Sequence, residues 1–106
     1  MDKETAIKVI RRFRDSLERS SISVDSIELF GSFATDNYTE NSDIDVAVIS
    51  DSFTGLNHWQ RIEKMADALY EVFEPIEARA LTIQEWNSGN SLTVQYAKSG
   101  THFAVV

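Results

Sequence analysis

Gly31 and Ser32 follow the apolar pair Leu29-Phe30, and ten residues further on Asp43 and Asp45 flank Ile44 at the mouth of the apolar run Val46 to Ile49. Glycine lets a chain turn sharply and lets a ligand approach the backbone with no Cβ in the way. If Ser32 opens a helix, its hydroxyl and the next backbone N–H groups converge on an anion, reinforced by the helix dipole. Residues two apart on a strand leave the same face, so Asp43 and Asp45 form a carboxylate pair. Two acids side by side are costly unless a cation joins them. Oxygen donors suit Mg²⁺, which takes one or two carboxylates and completes its shell with waters and substrate phosphates. A phosphate-holding turn beside such a pair points to chemistry on a nucleoside triphosphate.

A third carboxylate is expected from a neighbouring strand, and Glu77 is the candidate. In the segment Ile76 to Leu81, alternation puts Glu77 and Arg79 on one face and Ile76, Ala78 and Ala80 on the other. Glu77 could ligate a metal or take a proton from an attacking hydroxyl. Each feature alone has a plain reading: an ordinary Gly-Ser turn, a solvated acid pair, a Glu77–Arg79 surface pair worth little. An acid pair at the entrance of a buried strand is harder to explain that way. Glu74, at the end of a helix, is the weaker alternative for the third acid.

The elements that must position these residues are legible as periodicities. Ala6, Ile10, Phe13 and Leu17 recur at helical spacing, predicting a helix from Lys3 to about Arg19, widened by Ile7 and Val9. Val24, Ile27, Leu29 and Phe30 mark a strand ending at Gly31, and Ser32 to Asn37 a short helix or turn. Ile44 to Ile49 reads as a strand rich in β-branched residues. Asn57 with Gln60 forms a capping box. Behind it, Trp59, Ile62, Ala66, Leu69 and Phe73 repeat at helical spacing and predict a second helix, which Pro75 stops. Ile76 to Leu81 is a strand, Thr82 caps a turn at Ile83 to Trp86, Leu92 to Ala97 is helical, and His102 to Val106 forms a last strand. This alternation predicts a sheet with helices packed on it. Trp59 and Trp86 are expected in packing roles, His102 alone in the tail, and Lys98 in solvent.

Composition bounds the partners. The chain has 106 residues, 42% of them apolar and 25% charged, which fits one domain with one core. No apolar run approaches the ~20 residues that span a bilayer, and the charged N-terminus does not resemble a signal peptide. With no cysteine there is no thiolate metal site or disulfide, in keeping with a cytoplasmic protein. Residues 1–19 carry six basic and four acidic side chains, and the rest four basic and thirteen acidic, for a net charge of −7. That surface repels phosphate polymers, so nucleic acid is not the expected partner, and neither is a membrane.

Gly-Ser, ten residues, Asp-Ile-Asp on a strand and a third acid two elements later together resemble the DNA polymerase β-like nucleotidyltransferase superfamily. The small size resembles its minimal nucleotidyltransferases. The resemblance implies an α/β (α+β) fold, a single small mixed sheet of three to four strands packed with helices, with residues 1–106 as one domain. It implies that Asp43, Asp45 and Glu77 hold Mg²⁺, that Asp45 with Glu77 activates a hydroxyl, and that Gly31 and Ser32 hold the triphosphate. The implied reaction moves a nucleoside monophosphate, AMP from ATP, onto that hydroxyl. The implied partner is a small helical HEPN-type protein, modified on a tyrosine as a toxin by its antitoxin; a homo-oligomer is left open. Members usually carry a basic residue and then glycine where this chain has Thr35 and Asp36, and Asp36 puts negative charge near the expected triphosphate. The rival reading is a binding subunit that keeps the fold with little or no catalysis.

Overall fold

The computed structural model describes all residues from Met1 to Val106. Helix α1 (Lys3–Arg19) leads to β1 (Ser26–Phe30), the short α2 (Gly31–Thr35) and β2 (Ile44–Ile49). A 3-10 turn at Asp51–Phe53 precedes α3 (His58–Val72), β3 (Ile76–Leu81), α4 (Ile83–Ser88), α5 (Leu92–Ser99) and the two-residue β4 (Phe103–Ala104). The strands form one mixed sheet in the order β3-β2-β1-β4. β1 runs antiparallel to β2 and to β4, while β2 and β3 are parallel, joined by the α3 crossover. The expected mixed sheet with helices is therefore present, with four strands.

The pleat of β2 divides the molecule. Ile44, Val46 and Val48 point to one face and are fully buried with Ile10, Phe13, Leu17, Phe33 and Met65, beneath α1 and α3. The opposite face carries Asp45 and Ala47, and its smaller cluster of Phe30, Ala47, Leu81, Val94 and Ala97 packs against α5. The large core thus stabilises the sheet from one side and leaves the other side for chemistry.

Local signals place the helix starts. Asn57 accepts from the Gln60 N–H and the Gln60 side chain accepts from Asn57, both at 2.9 Å. Thr82 and Glu85 form the same reciprocal cap for α4. Arg61, largely buried, ties these elements together, donating to the Leu56 and Ala80 carbonyls and to Glu85 at 2.6 Å. Burial, the largest single influence, pushes the Glu85 carboxyl up, but the hydrogen bonds from Arg61 and Thr82 and the Arg61 charge together outweigh it and hold Glu85 below the usual range.

Two expectations, for Trp59 and His102, need correction. The buried face of α3 is Met65, Ala68 and Val72, whereas Trp59 is 74% and Phe73 83% exposed. The sheet lies against the smaller stripe, and the larger aromatic one faces solvent. Trp59 is accordingly not a core residue. His102 is not alone, because its Nδ1 lies 3.0 Å from the Glu28 carboxylate and its ring meets Trp86 edge-on. Lys98 is exposed as expected, and its Nζ donates to the Trp86 carbonyl at 2.6 Å and lies 4.6 Å from that ring's centre.

Candidate active site

Register brings the acids together. Asp45 is the direct neighbour of Phe30 on β1 and of Glu77 on β3. Directly paired residues of adjacent strands point to the same side of a sheet, so Asp45 and Glu77 share the open face. Asp43 lies just before β2, exposed, and close enough for its charge to act on Asp45. Burial, then the charge and hydrogen bonding of Glu77, then Asp43 push the Asp45 carboxyl from 3.8 up to about 6, against a smaller opposing pull from Arg79. The donor set is entirely carboxylate oxygen, and its crowded negative charge is what a divalent cation would neutralise. The residues therefore fit such an ion. His, Asp and Glu side chains form no ready-made group of three around one point, but Mg²⁺ needs only one or two protein carboxylates.

Arg79 answers part of this charge in the chain itself. Its Nη2 donates to Glu77 Oε1 at 2.8 Å, so the expected third acid is already in an ion pair. A cavity of about 430 Å³ opens here, lined by Asp45, Glu77, Arg79, Phe30, Leu92, Thr93 and Tyr96.

The turn after β1 fits against Asp45. Gly31 has φ +71, and a Cβ there would overlap Asp45 Oδ2 and stand 3.0 Å from Cγ. Only glycine satisfies both the left-handed backbone and the close approach. Gly31 and Ser32 line a second cavity, of about 300 Å³, with Thr35, Asn37, Tyr96, Ser99 and Thr101 among its walls. Thr35 Oγ1 donates back to the Gly31 carbonyl at 3.2 Å and accepts from Asn37 Nδ2 at 3.2 Å, fixing the turn. With five residues, α2 carries little macrodipole; what it offers is the unpaired N–H groups of its first turn.

Asp36 adopts φ 63, the left-handed conformation in which aspartate is tolerated. Its side chain is 70% exposed and pairs with Lys3 Nζ at 3.2 Å. It is not among the residues lining the Gly31–Ser32 cavity. The charge that looked unfavourable in the sequence is thus matched by a lysine from α1. Asp36→Gly is expected to change the dissociation constant for ATP by less than about threefold, because an exposed paired charge is largely screened. Isothermal titration calorimetry checks this, and a tenfold tightening would show that the charge reaches the ligand.

Two wall residues were not singled out in the sequence. Tyr96 lies between the two cavities, with its ring edge-on to Phe30 at 6.0 Å, and Thr93 sits one helical turn before it. Both come from α5, which folds back over the open face only in the tertiary structure. Leu92 and Tyr96, exposed apolar residues four apart on that helix, were the one available hint.

Comparison with known proteins bears on the family and the fold. The model of the nucleotidyltransferase domain family matches residues 10–97. Protein adenylyltransferase MntA of Shewanella oneidensis is 31% identical over 74 residues, 69% of this chain and 50% of that protein. The chain therefore spans about half the length of the curated relative it matches. A candidate nucleotidyltransferase from Sulfolobus solfataricus superposes with a TM-score of 0.72 at 16% identity, over 96% of this chain and 80% of the other. A second candidate nucleotidyltransferase gives 0.62 at 23% identity, over 90% and 95% of the two chains. At these identities the solved structures speak for the fold alone.

Proposed function

The chain belongs to the nucleotidyltransferase domain family, and on that premise we propose that residues 1–106 act as one domain that moves AMP from ATP onto a hydroxyl of a partner protein. The observation that carries this reading is the pairing of Asp45 with Glu77 across β2 and β3, on the open face and against the Gly31 turn. Asp43, Asp45 and Glu77 would hold Mg²⁺, which when bound screens the charge of the triphosphate. Ser32 and the backbone at Gly31 would hold the phosphate oxygens. Asp45 with Glu77 would take the proton of the acceptor hydroxyl as its oxygen bonds to the α-phosphorus; the bond to the β-phosphate oxygen breaks and pyrophosphate leaves.

The likeness to a protein adenylyltransferase supports a protein as acceptor. The family resemblance supports a small helical HEPN-type protein, modified on tyrosine, in a cytoplasmic toxin–antitoxin pair with this chain as antitoxin. No helix here is long and apolar enough to cross a membrane. A second reading, a binding subunit with little transfer, is favoured by Arg79 occupying Glu77. Incubation with Mg²⁺, α-labelled ATP and the protein encoded beside this one separates the two. Transfer predicts label on that protein, lost in the Asp43→Ala, Asp45→Ala double variant. Label that survives the double change overturns the site, and metal-dependent ATP binding without transfer favours the second reading.

A further inference from the structure

Helix α3 is apolar on two sides, and the fold uses only one of them. Met65, Ala68 and Val72 are buried against the sheet. Trp59, Ile62 and Tyr70 are 74%, 37% and 82% exposed, and Ala66 is exposed between them. At about 100° per residue these four fall within an arc of roughly 80°. Phe73 extends the stripe at the C-cap, 83% exposed with φ 51. That position favours glycine or asparagine, so an exposed phenylalanine there does nothing for the helix end. At about 150–250 Å² per aromatic side chain, the three exposed rings present roughly 400 Å², the size at which a patch on a monomer is often functional.

We propose that this face of α3 docks a helix of a second protein, one bearing an apolar stripe flanked by Lys or Arg. Charge selects that occupant. Glu63 and Asp67 border the stripe on one side, and neither is in an ion pair. Glu71 lies on the same side but is held by Arg19. Antiparallel pairing with a second copy about a twofold axis would set Glu63 and Asp67 against their own equivalents, between chains of net charge −7. A basic flank instead meets them with opposite charge. The stripe also borders the site: His58 and Ile62 line a groove of about 510 Å³ whose walls include Arg79 and Thr93, both also walls of the acid cavity. Docking requires no carboxylate of that site, so it stands apart from the transfer reaction.

Trp59 reports on the face directly once Trp86→Phe leaves it the only tryptophan. The probes are two synthetic helical peptides of about 18 residues, five turns, with one leucine stripe flanked by Lys in one and by Glu in the other. The Lys-flanked peptide is expected to shift Trp59 emission to the blue saturably, and the Glu-flanked one to bind at least about tenfold more weakly. Tyr70→Ser, and Glu63→Lys with Asp67→Lys, are each expected to weaken the first peptide about tenfold while circular dichroism stays unchanged. The Asp43→Ala, Asp45→Ala variant should bind it as the parent does, even if transfer is lost. Equal binding of both peptides, no binding, or indifference to the α3 variants overturns the proposal. So does sedimentation as a dimer that Tyr70→Ser dissociates, which would make a second copy the occupant.

Discussion

Asp45→Asn is expected to lower label transfer about a thousandfold and, in the metal-free protein at pH 7.5, to raise the free energy of unfolding by about 1–2 kcal/mol. The two effects have one cause. Asp45 is held in its charged form against burial, against Glu77 and against Asp43, with its carboxyl raised from 3.8 to about 6. A raised acid favours the folded state when protonated. Its contribution is complete below the unfolded value of 3.8 and is lost as pH rises through about 6. At pH 7.5 the ionised Asp45 therefore destabilises the fold. The full shift would correspond to about 3 kcal/mol, reduced here because the side chain is only half-buried and solvent screens it. Asparagine keeps the shape and removes the charge. Urea unfolding should show the variant ahead at pH 7.5 and level with the parent near pH 4. Mg²⁺ should stabilise the parent by mass action and the variant far less. An advantage that stays constant with pH would sink the electrostatic account.

What could be read from the chain was what local chemistry decides. The Asn57 and Thr82 caps, the stop before Pro75 and the β-branched run of β2 depend on neighbours within a few residues, and each element formed where those signals stood. The acids were legible for a similar reason: alternation in β2 and β3 fixed which face they shared, and the parallel register then set Asp45 beside Glu77. The α3 face was not. An apolar stripe has the same period whether it meets this chain's core or another molecule, and the bulkier stripe, with Trp59 and Phe73, was the one left in solvent. Side chains brought in from distant sequence were also hidden. Tyr96 over the acid cavity, His102 on Glu28 and Lys3 on Asp36 follow no period that a linear reading can detect.

Gly31→Ala should cost about 2–3 kcal/mol of stability and at least about a hundredfold in transfer, more than backbone conformation alone explains. A left-handed alanine accounts for about 1 kcal/mol. The remainder comes from Asp45, whose Oδ2 occupies the space the new methyl would take, with Cγ at 3.0 Å and Cβ at 3.2 Å behind it. Asp45 cannot retreat with its backbone, because β2 is hydrogen-bonded to β1 on one side and β3 on the other. Its carboxylate must rotate away, and a displacement of about 1 Å at a reacting group is enough for a hundredfold loss. Gly55 supplies the control: its φ is +79, yet a Cβ there meets nothing within 4 Å. Gly55→Ala should show the conformational cost alone and full transfer. At pH 4, where the Asp45 charge no longer weighs on stability, adding Asp45→Ala to Gly31→Ala should recover most of the stability lost, since the clashing carboxylate is gone and only the residue 45 Cβ, at 3.2 Å, remains. Chemical denaturation of the four proteins, with transfer assayed in parallel, reads this out. If Gly31→Ala matched Gly55→Ala in both measurements, the glycine would be serving the turn and not the carboxylate beside it.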